Sequence, residues 1–152
     1  MKNTVILLFS IIVLSSCSND IHFKEFKKTE NLEWLESDAK LISFENTDDS
    51  SYFDLYFGFR YAQGFQYNAI NANIKELTPF GNFEIPVSAK TINADGTYIG
   101  EGSGDIWDLE IPLRKHIQLA KGKYSYIISH TMPTKKLQMV MEVGIVIKKC
   151  KK

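Results

Sequence analysis

The chain has 152 residues with 18 basic and 18 acidic side chains, so its formal charge at neutral pH is zero. Such a balance provides no concentrated basic surface and gives no electrostatic case for nucleic acid as a partner. Two cysteines are too few for a disulfide-stapled scaffold, and the length suits one domain held by hydrophobic burial.

Residues 1–16 read MKNTVILLFSIIVLSS. One lysine precedes an apolar run that is shorter than the roughly 20 residues a membrane span requires. A basic start, a short apolar core and small residues at the exit form a secretory signal. The exit, Leu14-Ser15-Ser16-Cys17, is similar to the lipobox of bacterial lipoproteins, in which the signal is cut before a cysteine that carries lipid. Cys17 is therefore the expected lipidation site, and the partner it implies is a membrane. Two or three acyl chains, each buried methylene contributing about 0.8 kcal/mol, make such an anchor effectively permanent.

Residues 17–38 contain Trp34 but no clean period, and read as a lipid-attached tether with a first edge segment. Residues 39–150 form the expected folded domain. Residues 41–47 have strand composition. In residues 52–61 the odd positions are Phe53, Leu55, Phe57, Phe59 and Tyr61, while the even positions are mixed, so the run is a strand with one apolar face. Residues 68–77 alternate in the same way through Ile70, Ala72 and Ile74. Residues 124–131 and 143–149 are rich in aromatic and β-branched side chains. Turns are expected at Asp48-Asp49-Ser50-Ser51, Pro79-Phe80-Gly81-Asn82, Asp95-Gly96 and Lys121-Gly122-Lys123. The fold class that follows is all-β: an antiparallel two-sheet β-sandwich, jelly-roll-like, with about eight strands. Cys150 lies among four lysines, whose charge would favour its thiolate; the alternative is an incidental thiol on a frayed tail.

Residues 100–108, GEGSGDIWD, are the one stretch that invites a chemical reading. No lysine follows the glycines as a P-loop requires, and their spacing is not that of a dinucleotide fingerprint. The alternating acids and closing glutamate of a calcium loop are absent. A strand-to-loop corner, where glycines permit a bulge or close backbone approach, accounts for the pattern. His22, His116 and His130 lack metal-ligand spacing, and Ser129-His130 are strand neighbours that point to opposite faces. No catalytic, metal or cofactor site is expected, and the chain reads as no enzyme. Trp107, flanked by Asp105 and Asp108 as a polar rim, is the candidate docking residue; the alternative is that Trp107 plugs one end of the core. A surface glycan-binding module using exposed aromatics such as Tyr52, Tyr56 and Trp107 is the rival function. A hydrolase with carboxylates brought together from separate strands is a third.

The run from Asp95 through Gly100, Gly102, Gly104 and Trp107 to Ile111-Pro112-Leu113 resembles the central signature of the GldH family, gliding-motility lipoproteins of the Bacteroidota. The lipobox, Trp34, Leu55-Tyr56-Phe57-Gly58-Phe59-Arg60, Tyr67-Asn68-Ala69-Ile70, Gly122-Lys123-Tyr124 and Glu142-Val143-Gly144-Ile145 follow in the family's order. The chain departs from the pattern at Met132-Pro133, where the family typically has Arg, and at residues 137–140. The resemblance implies a lipid-anchored envelope component of the gliding machinery, in the outer membrane, associated with other gliding and type IX secretion envelope proteins. It implies no enzymatic activity and no cofactor.

Overall fold

In the computed structural model, which describes residues 20–150, the odd side chains of residues 53–61 all point into one core and are at most 1% exposed. Eleven strands occur among the described residues: β1 (Asp20–Lys28), β2 (Glu33–Leu35), β3 (Lys40–Asn46), β4 (Tyr52–Ala62), β5 (Ala69–Thr78), β6 (Gly81–Lys90), β7 (Glu101–Ser103), β8 (Ile106–Gln118), β9 (Gly122–His130), β10 (Lys136–Gln138) and β11 (Val140–Lys149). Three of them are only three residues long, which leaves eight substantial strands. All pairings are antiparallel.

One sheet has the order β1-β11-β4-β8-β7 and the other β3-β9-β5-β6; β10 and β2 form a small ribbon. Numbering only the eight long strands, the sheets run 1-8-3-6 and 2-7-4-5, the interleaved order of a jelly roll. Between the sheets, Phe53, Leu55, Phe57, Phe59 and Tyr61 of β4 and Val143, Ile145 and Ile147 of β11 meet Ile42, Ile70, Ile74, Tyr126 and Ile128 of the second sheet. Each of these side chains contributes roughly 1.5–3 kcal/mol by leaving water.

The register defines two ends. Asp20 pairs with Lys149, Tyr52 with Gln118, Asn46 with Gly122 and Thr78 with Gly81. The chain therefore enters β1 at the end that carries the 47–51 and 119–121 connections and the Pro79-Phe80 turn. There the buried Asn46 amide donates to the carbonyls of Asp48 and Leu119 at 2.8 Å each, tying two connections together. At the opposite end lie the 63–68, 91–100 and 131–135 connections. The Tyr61 hydroxyl reaches the carbonyls of Thr91 and Ile99 at 2.7 and 2.6 Å, and burial pushes its pKa up to about 12.

Within residues 17–38, read as a tether with a first edge segment, β1 from Asp20 onward is an edge strand hydrogen-bonded along β11. One expectation changes. Cys150 is not a frayed thiolate. Its N–H donates to the Tyr52 carbonyl, and its thiol donates to Asp54 Oδ1 at 3.4 Å; burial and that carboxylate push the thiol pKa up. Cys17 and the signal segment lie outside the described residues.

Candidate docking face

The outer face of the five-stranded sheet gathers residues that are distant in sequence. Even-numbered positions of β4 point outward, opposite their β11 partners: Asp54 with Lys148, Tyr56 with Val146, Gly58 with Gly144 and Arg60 with Glu142. The two glycines leave a bare lane across the strands. Phe26 of β1 lays its ring along this lane: a Cβ on Gly144 would fall 2.6 Å from Phe26 Cγ, and one on Gly58 would fall 2.6 Å from Cε1. Glycine pairs in strands are otherwise a weakness, and a cross-strand aromatic covers this one.

Beside Phe26 sits an ion-paired cluster. Arg60 donates from Nε and Nη2 to the two carboxylate oxygens of Asp108, at 2.6 and 3.0 Å, and from Nη1 to Glu142 at 2.7 Å. These carboxylates, Asp108 first, raise the guanidinium pKa above its ordinary value. Lys148 pairs with Glu110, and Lys115 with Asp54 at 3.0 Å. The Nζ atoms of both lysines lie over Tyr56, 4.1 Å (Lys115) and 4.8 Å (Lys148) from its centroid. A cleft of about 510 Å³ opens on this face, bounded by Ile21, Lys24 and Phe26 on one side and by Gly100, Glu101 and Leu109 on the other. Lys24 and Glu101 are exposed on its two sides and join no ion pair among the described residues.

The glycine corner shapes one wall of that cleft. Gly100 has φ of 126°, and a Cβ there would fall 2.6 Å from the Asp108 carbonyl oxygen. Gly104 has φ of 65° in the β7–β8 turn with open space around it. Two penalties apply at Gly100 and one at Gly104. Gly100→Ala should lower stability by about 2–3 kcal/mol, and Gly104→Ala by about 1 kcal/mol. Urea midpoints test this ranking; equal midpoints for both variants would contradict it.

The three residues singled out from sequence do not form one patch. Trp107 turns toward the core, is half-buried, stacks on Tyr98 at 4.2 Å and lies 6.1 Å from Tyr61. Asp108 points the other way, to Arg60 on the outer face. Asp105 is exposed in the turn between β7 and β8, where its carbonyl accepts from Gln63 N–H. The sequence reading did not place Phe26, Gly58, Gly144 and Glu142 on one face; glycines inside strand patterns were the available signal.

No group of three His, Cys, Asp or Glu among the described residues is placed to hold a metal ion. Each of the three aromatics named for a sugar site already carries a neighbour on its ring: Tyr52 stacks on His116 at 4.2 Å, Tyr56 lies under two lysines and Trp107 stacks on Tyr98. His130 is buried edge-on against Trp34 at 5.1 Å, with neither ring nitrogen hydrogen-bonded. Burial holds its pKa below the ordinary value. The unfolded chain therefore binds a proton more readily, so stability is complete above about pH 6.5 and falls as pH drops through the folded pKa. Denaturation between pH 7 and 5 should show this decline for the native protein and less of it for His130→Phe.

The profile of the GldH lipoprotein family matches residues 21–147, nearly all of the described sandwich. The chain belongs to the GldH lipoprotein family. The gliding motility lipoprotein GldH of Flavobacterium johnsoniae is 25% identical over 132 residues, covering 86% of this chain and 82% of that protein. The family resemblance read from the sequence therefore holds, and this GldH-family chain is a gliding-motility lipoprotein, lipid-anchored in the cell envelope. Among solved structures, a chain of infectious bursal disease virus, Gx strain, aligns over 85% of this chain at 9% identity and a TM-score of 0.25. This chain spans 33% of that one, and the fold assignment stands on strand order without it.

Proposed function

We propose that this GldH-family chain is a non-enzymatic docking component of the gliding apparatus, held by lipid on Cys17 in the outer membrane and binding other gliding or type IX secretion envelope proteins. The observation that carries the reading is the outer face of the five-stranded sheet. It combines an aromatic ring, a buttressed arginine and a shallow cleft with unpaired charges of opposite sign on its two sides. Arginine and aromatic residues anchor protein interfaces, and rim charges select the partner. Asp54, Asp108, Glu110 and Glu142 on this face are each engaged by a cation, an arrangement suited to complementary recognition more than to proton transfer.

The test uses the charges of Lys24 and Glu101, which join no ion pair among the described residues; Lys24 Nζ lies 5.4 Å from the Phe26 ring centroid. Lys24→Glu and Glu101→Lys should each leave stability within about 0.5 kcal/mol of the native value. Capture of envelope partners in cells should fall about tenfold, with a loss of gliding at normal protein abundance. Unchanged capture and gliding in both variants would overturn the reading.

A further inference from the structure

We propose that the end of the sandwich at which the chain enters β1 is a membrane-contact surface, with Phe80 inserted into the lipid interface. This rests on Cys17 carrying the lipid. Only three residue steps separate Cys17 from Asp20, and a chain spans at most about 3.6 Å per residue, so Asp20 lies within about 11 Å of the anchored cysteine. The interfacial layer of a leaflet is itself about 5–8 Å deep. The tether thus keeps Asp20 close to the bilayer surface, and the proposed orientation sets this end against the lipid with the far end, which carries the glycine corner, directed away.

What that end presents fits a lipid surface. Phe80, at the tip of the β5–β6 turn, is 79% exposed, the highest value among the exposed large apolar side chains of the described residues. Its turn is pre-formed. Thr78 Oγ1 accepts from the Phe80 N–H at 3.1 Å and donates to the Gly81 carbonyl at 3.0 Å, and Pro79 packs against Gly122. A rigid tip holding a bare ring in water has no benefit to the isolated fold. Ile21, 51% exposed, and Tyr52, 42% exposed, lie at the same end. Lys121 is exposed there in a solvent-accessible ion pair with Asp49 at 3.4 Å, a partner it can exchange for a lipid phosphate. Aromatic tips with flanking lysines are the side chains that settle at the membrane–water interface.

The experiment uses the full lipidated protein in phosphatidylethanolamine–phosphatidylglycerol vesicles whose acyl chains carry bromine, a contact quencher of tryptophan. Phe80→Trp places a reporter at the proposed contact. Leu35→Trp places one on an exposed apolar position, 41% exposed, at the opposite end. Native Trp34 and Trp107 lie at that opposite end and set the baseline. Flotation of the protein with the vesicles reports the anchor separately. The expected result is co-flotation, loss of the added emission in Phe80→Trp and no loss in Leu35→Trp. Co-flotation with an unquenched Phe80→Trp overturns the contact and leaves the anchor standing. Equal quenching of both reporters also overturns it, because the domain would then have no preferred end. Failure to float, matched by Cys17→Ala, overturns the anchor and the contact with it.

Discussion

Trp107→Ala is expected to lower the unfolding free energy by about 3 kcal/mol, near the lower edge of the range for losing a buried indole because the ring keeps some contact with water. The ring closes the far end of the sandwich. It stacks on Tyr98 with planes 28° apart, and its Nε1 edge lies over Gly102, where a Cβ would fall only 2.9 Å away. Its loss would leave Tyr61 under a void and loosen the 91–100 connection that Tyr61 secures. A urea midpoint shifted well below native is the predicted result. An unchanged midpoint with impaired partner capture would make Trp107 a docking residue and would contradict the packing described here.

Gly144→Ala should be as damaging, at about 3 kcal/mol, for a different reason. Gly144 lies in β11, between β1 and β4. A Cβ there would fall 2.5 Å from the Glu25 carbonyl oxygen as well as meeting the Phe26 ring. The carbonyl belongs to the β1 backbone and cannot yield without opening the β1–β11 ladder. At Gly58, by contrast, the three nearest atoms all belong to the Phe26 ring. Phe26→Ala should therefore relieve Gly58→Ala and leave Gly144→Ala largely unrelieved. A double-mutant cycle measured by chemical denaturation tests this; equal relief at both glycines would contradict the geometry.

The strands most legible in the sequence are those whose two faces differ. In β4 the odd positions enter the core and the even ones do not, so residues 52–61 announce the strand, and β5 and β9 alternate likewise; β11 is buried on both faces over residues 143–147 and shows in the sequence by its β-branched composition instead. β1 gives no such signal. A register shift between Ile21 and Phe23 breaks its alternation, and it then sends Phe23 inward to Phe44 and Phe26 outward over the glycines. In β6, Pro86 argues against a strand, yet the strand is an edge and its missing N–H costs no ladder bond. β8 carries two register irregularities against β4 and a left-handed His116, which hide its length. The cluster on the outer face was less legible still. Arg60, Asp108 and Glu142 come from three strands, and only the register brings them together. The glycine corner was visible as backbone geometry, but its role in shaping the wall beside Asp108 required the fold.

The most direct test of docking by the outer face is site-specific photocrosslinking in gliding cells. A photoreactive residue would replace Lys24 or Glu101, on the two sides of the cleft, and in a parallel strain Lys75, exposed on the outer face of the other sheet. The account predicts that the Lys24 and Glu101 positions capture the same envelope protein, while Lys75 captures little. Capture from Lys75 with none from Lys24 or Glu101 would contradict it.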